Sequence, residues 1–102
     1  MIVYSVVLIF FLLFVIHTLG CIWAWIGIIT EGSWLDYFYI DRMAKKEIYI
    51  KSVYWVITTL TTVGYGDIYG LTSNEYIYQM IVEFISFAFF SFLMGSINNI
   101  LV

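Results

Sequence analysis

Apolar residues fall into three runs, and the length of each run assigns it a different structure. From Met1 to Ile29 the clearly polar side chains are those of Ser5, His17 and Thr18. At 1.5 Å per residue this run reaches ~43 Å as a helix, enough to cross the ~30 Å hydrocarbon core of a bilayer, so it predicts an outer transmembrane helix over residues 1–29. A secretory signal peptide would need a basic start, a shorter apolar core and a small-residue cleavage site, and the run has none of the three. A second spanning helix is predicted over 74–102, interrupted by Glu83 and the pair Asn98-Asn99. Between them lies a more polar connection, residues 30–51, and then the short apolar run Val53 to Leu60. That run covers only ~12 Å as a helix, so it must enter the membrane and turn back. A re-entrant helix is therefore expected over 52–61, with Ser52 as its N-cap and the negative end of its dipole near Thr61.

Composition sharpens the class. With 102 residues, 64% hydrophobic and no proline, the chain carries too much apolar surface for one small soluble core. The expected architecture is an all-α membrane protein in one compact unit, without linker or repeat. Arg42, Lys45, Lys46 and Lys51 are its only basic residues and all lie in the connection between the spanning helices. The positive-inside rule alone would place that connection in the cytoplasm. The motif described next places it outside, and the conflict is resolved if the 102 residues belong to a longer polypeptide with cytoplasmic flanks. Trp23, Trp25, Trp34, Tyr37 and Tyr39 cluster at the end of the first helix, as interfacial belts or as apolar packing. No Gly-rich phosphate loop, catalytic triad or paired carboxylate arrangement is present, so no enzyme is expected, and neither cofactor nor nucleic acid is implied.

The chemistry lies in Thr61-Thr62-Val63-Gly64-Tyr65-Gly66-Asp67, which follows the short run directly. A dehydrated K⁺ ion needs a ring of oxygens in place of its water shell, and backbone carbonyls can supply it. To aim successive carbonyls at one axis the backbone must alternate between ordinary and left-handed conformations, which Gly64 and Gly66 adopt at little steric cost. Val63 and Tyr65 would then point away from the ions, and the Thr62 hydroxyl would add an oxygen at the inner end. Irregular backbone at membrane depth is tolerated only inside protein or beside water, and one copy of this chain cannot enclose it. Several copies around a common axis are therefore expected.

The heptapeptide matches the potassium-channel signature, and the order outer helix, turret, pore helix, filter, inner helix resembles the pore domain of tetrameric potassium channels over nearly the whole chain. More narrowly, His17-Thr18-Leu19-Gly20-Cys21-Ile22-Trp23 followed by Ile26-Gly27 resembles the outer helix of the ether-à-go-go and cyclic-nucleotide-regulated voltage-gated branch. The resemblance implies an outer helix over 1–29, an extracellular turret over 30–51, a pore helix over 52–61, a selectivity filter over 62–67 and an inner helix over 74–102. It implies K⁺ sites at the carbonyls of Thr62, Val63, Gly64, Tyr65 and Gly66, Asp67 at the outer mouth, and Trp55 packed behind the filter near Tyr65. It also implies four copies of the chain or close paralogues in a lipid membrane, the plasma membrane above all. A voltage sensor and cytoplasmic regulatory domains would stand outside this segment.

Departures from that pattern are equally specific. The group usually carries a glycine about nineteen residues after the filter aspartate, where the inner helix bends, and Ser86 stands there instead. Gly95 is the one glycine left in the inner helix, either a gating position or a close-packing one. Asn98 and Asn99 line the inner mouth or form a solvated helix end. His17 and Cys21 share a helix face, but two ligands do not complete a zinc site, and packing within the outer helix is expected of both. Glu31, Asp36, Asp41, Glu47, Asp67 and Glu75 would concentrate cations near the entrance, an effect weakened by the interleaved basic residues. Glu83, inside a spanning helix, is expected to bond Thr58, Thr59 or His17, or else to tune the filter from behind. The remaining functional alternatives are a weakly selective cyclic-nucleotide-regulated cation channel and a non-conducting scaffold subunit with the same fold.

Overall fold

A computed structural model describes residues 2–101, with the side chain of Ile100 excepted; Met1 and Val102, the expected outermost residues of the first and last helices, lie outside the described residues. Four helices follow one another: α1 Ile2–Ile29, α2 Trp34–Tyr37, α3 Lys45–Leu60 and α4 Ser73–Leu101. Two of them, α1 and α4, are long and apolar enough to cross a membrane. The chain is elongated, 48 × 23 × 19 Å, because these two helices set its length and only α3 packs between them in force.

α1 and α4 have almost no apolar stripe, since they are apolar on every side. What buries them is local fit. Gly20 lets Val53 of α3 approach to 3.3 Å from the point a Cβ would occupy, and Gly27 does the same for Trp34, whose Nε1 lies 2.5 Å from that point. The core is an aromatic stack drawn from all four helices. Trp23 of α1 lies parallel to Trp55 of α3 with centroids 4.1 Å apart, and Trp34 of α2 and Tyr78 of α4 flank it at 5.6 and 6.1 Å. Such stacking adds ~0.5–1.5 kcal/mol per pair beyond the buried area. The Tyr78 hydroxyl also donates to the Leu19 carbonyl at 2.7 Å, tying α4 to α1. Trp23 and Trp34 are thus core residues, whereas Trp25, Tyr37 and Tyr39 are exposed.

α3 differs from expectation. It begins at Lys45, with Ala44 as an N-cap that offers no side-chain bond, and Ser52 lies fully buried within it and caps nothing. Lys45, Lys46 and Glu47 are exposed on its first turn. Ile48 points into the core, while Glu47 and Lys51 pair across one turn at 3.7 Å. Sixteen residues make ~24 Å of helix, still short of a bilayer crossing. The 30–51 connection accordingly holds α2 and the start of α3. Its bend is fastened by Arg42, which donates to the carbonyls of Ile28 and Thr30 at the end of α1 and pairs with Asp36 at 2.7 Å.

Candidate functional site

α3 stops at Leu60, with Thr61 as C-cap, and the signature segment leaves it at once. Thr62 N–H donates to Thr59 O at 3.1 Å and Gly64 N–H donates to Thr58 O at 3.0 Å, so the end of α3 anchors the segment's first half. Backbone φ is positive at Thr62 (64°), Gly64 (55°) and Gly66 (74°), with Val63 and Tyr65 between them. The two glycines take the expected left-handed positions, and Thr62 takes a third that composition did not advertise. A residue with a Cβ carries roughly 1–2 kcal/mol of strain there, so the surrounding bonds must hold it. Val63 and Tyr65 are both exposed in the single chain.

At the far end, Asp67 accepts a 2.7 Å hydrogen bond from the Tyr54 hydroxyl of α3. Behind the segment lies a cavity of about 140 Å³, lined among others by Trp55, Thr58, Thr59, Gly64, Gln79 and Glu83. Trp55 therefore does stand behind the segment, but its ring partners are Trp23 and Tyr78, and exposed Tyr65 is not among them. Thr58 and Thr59 turn their hydroxyls onto the Trp55 carbonyl, at 2.9 and 2.8 Å. Neither bonds Glu83, nor does His17, whose Nδ1 is 2.9 Å from the Tyr49 hydroxyl. Glu83 reaches the cavity exposed, with no hydrogen bond among the described residues. The expected in-chain tie is thus not made, because the nearby hydroxyls are already satisfied by their own helix.

Other expectations change address. His17 and Cys21 are not packed inside: both are exposed, with Sγ 3.6 Å from Nε2. Ser86 is buried with its hydroxyl unpartnered, and α4 runs through it and through Gly95 as continuous helix. Open space surrounds Gly95. Most of the acidic residues are engaged. Asp36 binds Arg42 and the Gly32 N–H, and these two, the guanidinium foremost, hold its carboxyl below the usual range. Asp41 accepts from Met43 N–H. Glu75 is fully buried and so does not face an entrance. It accepts from Trp34 N–H, Leu71 N–H, Thr72 N–H and the Thr72 hydroxyl. With Thr72 Oγ1 accepting from Glu75 N–H at 3.4 Å, this is a capping box at the start of α4. Its Thr-x-x-Glu spacing was legible in the sequence, whereas Tyr54 and Gln79 carried no signal beyond being polar groups on helices.

Known proteins resemble the chain along most of its length. It is 29% identical over 100 residues to Potassium channel KAT6 of Oryza sativa subsp. japonica, covering 93% of this chain and 17% of that protein. Against Potassium channel KAT3 of Arabidopsis thaliana it is 31% identical over 96 residues, 88% of this chain and 14% of the relative. Against Potassium channel AKT2 of Oryza sativa subsp. japonica it is 34% identical over 95 residues, 88% and 11%. The chain thus spans less than a fifth of the length of these relatives. The family described as Ion transport protein matches residues 1–102, and with two apolar helices of spanning length the chain is a membrane protein belonging to that family.

Proposed function

We propose that the chain is the pore-forming unit of a potassium-selective channel, in which four copies conduct K⁺ passively through rings of backbone carbonyls. The observation that carries this reading is the left-handed backbone at every second residue of Thr62-Val63-Gly64-Tyr65-Gly66. Alternation of that kind turns successive peptide units so that their carbonyls can face one side, as a dehydrated cation requires. Thr62, Val63, Gly64, Tyr65 and Gly66 would supply the ion sites, with Asp67 at the outer mouth. α3 would serve as the pore helix, its C-terminal dipole directed at the cation. The similarity to proteins named potassium channels supports K⁺ as the ion. Four copies would also enclose the exposed segment, which lipid alone would leave with unsatisfied carbonyls. The plasma membrane is the proposed site, with voltage-sensing and cytoplasmic regulatory domains working on the same pore.

The test is substitution at the outermost left-handed glycine. At φ 74° a Cβ on residue 66 meets its own backbone, even though open space surrounds it. Gly66→Ala should therefore misdirect a carbonyl in every subunit, at roughly 1–2 kcal/mol each, and collapse the preference for K⁺ over Na⁺. Bi-ionic reversal potentials on the reconstituted chain measure that ratio, and an unchanged ratio in the mutant refutes the assignment.

A further inference from the structure

The segment that leaves the signature has five residues, 68–72, to reach α4, and it has no regular structure of its own. Its amides are held instead by side chains of α4. Gly70 N–H donates to Gln79 Oε1 at 3.0 Å, and Leu71 and Thr72 N–H donate to Glu75 Oε1 at 3.3 and 3.2 Å. Glu75 and Gln79 stand one helical turn apart and so form a two-point clip on one face of α4. Gly70 fits closely into it: an added Cβ would lie 2.6 Å from Glu75 Cβ and 3.3 Å from the Trp23 ring. Only Asp67, Ile68 and Tyr69 separate the clipped Gly70 from Gly66, the last left-handed residue. On the other flank Asp67 is fixed to α3 by Tyr54. Gln79 also lines the same cavity as Gly64 and Gly66, which places the clip beside the signature backbone.

We propose that Gln79 is a positioning residue for the outer ion sites: by fixing Gly70 to α4 it holds the Tyr65 and Gly66 carbonyls in register, and it touches no ion itself. Glu75 shapes the helix start and so is structural as well, whereas among the described residues Gln79 contributes its bond to Gly70 N–H. Through it, displacement of the spanning helix α4 passes to the outer end of the conduction segment over three residues. The proposal rests on the channel reading given above.

The full chain, reconstituted as the assembled protein, is compared with Gln79→Leu, which keeps the bulk and removes the acceptor, and Gln79→Glu, which keeps an acceptor oxygen. Currents carried by K⁺ should decay about two- to tenfold faster in Gln79→Leu, the range one net hydrogen bond is worth, and raised external K⁺ should slow that decay. Gln79→Glu should restore the parental rate. A merely structural role would lower assembly without giving a K⁺-dependent decay or rescue by Glu. Parental decay in an assembled Gln79→Leu channel overturns the proposal. Should that variant not assemble, Gln79→Met carries the same comparison. Amide exchange of the peptide covering residues 66–72 separates this inference from the channel reading: even if the parent passes no K⁺ current, exchange must be faster in Gln79→Leu, and equal exchange overturns the clip.

Discussion

Glu83 is the residue whose surroundings set its chemistry most sharply. It is an acid on a helix of membrane-spanning length, it opens onto the cavity beside Thr58 and Thr59, and it has no hydrogen bond among the described residues. An ionised carboxylate at bilayer depth has to face water, protein or a proton. Within the proposed pore this leaves water in the cavity or a neighbouring copy. Glu83→Gln keeps shape and hydrogen-bonding capacity but removes the charge, so it separates the two roles. If the carboxylate tunes the filter, Gln alone changes open probability or inactivation. If it only fastens copies together, Gln conducts like the parent and Glu83→Ala weakens the assembly. Single-channel recording, paired with native mass spectrometry, decides between them; two parental-looking mutants would leave Glu83 without either role.

Asp36 gives a second residue-scale expectation. The Arg42 guanidinium, helped by Gly32 N–H, lowers its carboxyl below the ordinary value of 3.8. A depressed folded value means a stabilising contribution present above the unfolded value and lost as pH falls through the folded one. The contribution therefore begins to fall at about pH 4, around the unfolded value, and is gone only once pH has dropped below the depressed folded value. The pair is exposed, so salt weakens it as well. Arg42→Gln should bring the Asp36 carboxyl back toward its ordinary value, read by NMR titration of the side-chain carbonyl carbon. An unmoved titration would mean that Gly32 alone accounts for the shift.

Among the elements, α1 lets α2 and α3 approach closely at two glycines, Gly27 and Gly20. Trp34 is fully buried against the Gly27 position, and its backbone N–H is held by Glu75 of α4. A methyl group at residue 27 would stand 2.5 Å from Trp34 Nε1, and a buried indole in a four-ring stack has nowhere to withdraw. Gly27→Ala should cost ~1–3 kcal/mol by overpacking. Gly95→Ala, where space is open, should be neutral or slightly stabilising through the better helix propensity of alanine. Thermal unfolding in detergent compares the two, and equal losses would show that the Gly27 contact relaxes. α3 teaches the same lesson at its start. Its first two turns looked like loop because Lys45, Lys46, Glu47 and Lys51 are charged, yet Ile48 supplies the inward contact that an amphipathic helix needs.

Taken as a whole, one copy is an unfinished object. Val63 and Tyr65 are exposed beside a backbone with three left-handed residues, and α4 presents Ile77, Met80, Phe84 and Phe87 outward. Four-fold assembly would cover the segment and give its carbonyls a common axis. Native mass spectrometry from mild detergent should therefore give tetramers, stabilised by K⁺ more than by Na⁺, since a bound ion favours the state that binds it. A persistent monomer in K⁺ would count against the pore.

The two long helices were legible along the chain, because run length and hydropathy are local properties that a bilayer reads directly. So were the left-handed positions of Gly64 and Gly66, because a missing Cβ is a property of the residue. The start of α3 was legible only once Ile48 was seen to enter a core. The rest depended on which side chains meet in space. Tyr54 reaches Asp67 across 13 residues, Trp34 reaches Glu75 across 41, and Thr62 is held left-handed beside bonds from the end of α3. Glu75 reads in the sequence as an acid near the entrance, but four donors from two segments surround it; Glu83 reads as either bonded to Thr58, Thr59 or His17 or tuning the filter, and Thr58 and Thr59 turn to their own helix. Hydrogen bonds are short-ranged and directional, so a linear spacing says which groups want partners, and only the tertiary structure says which partners they get.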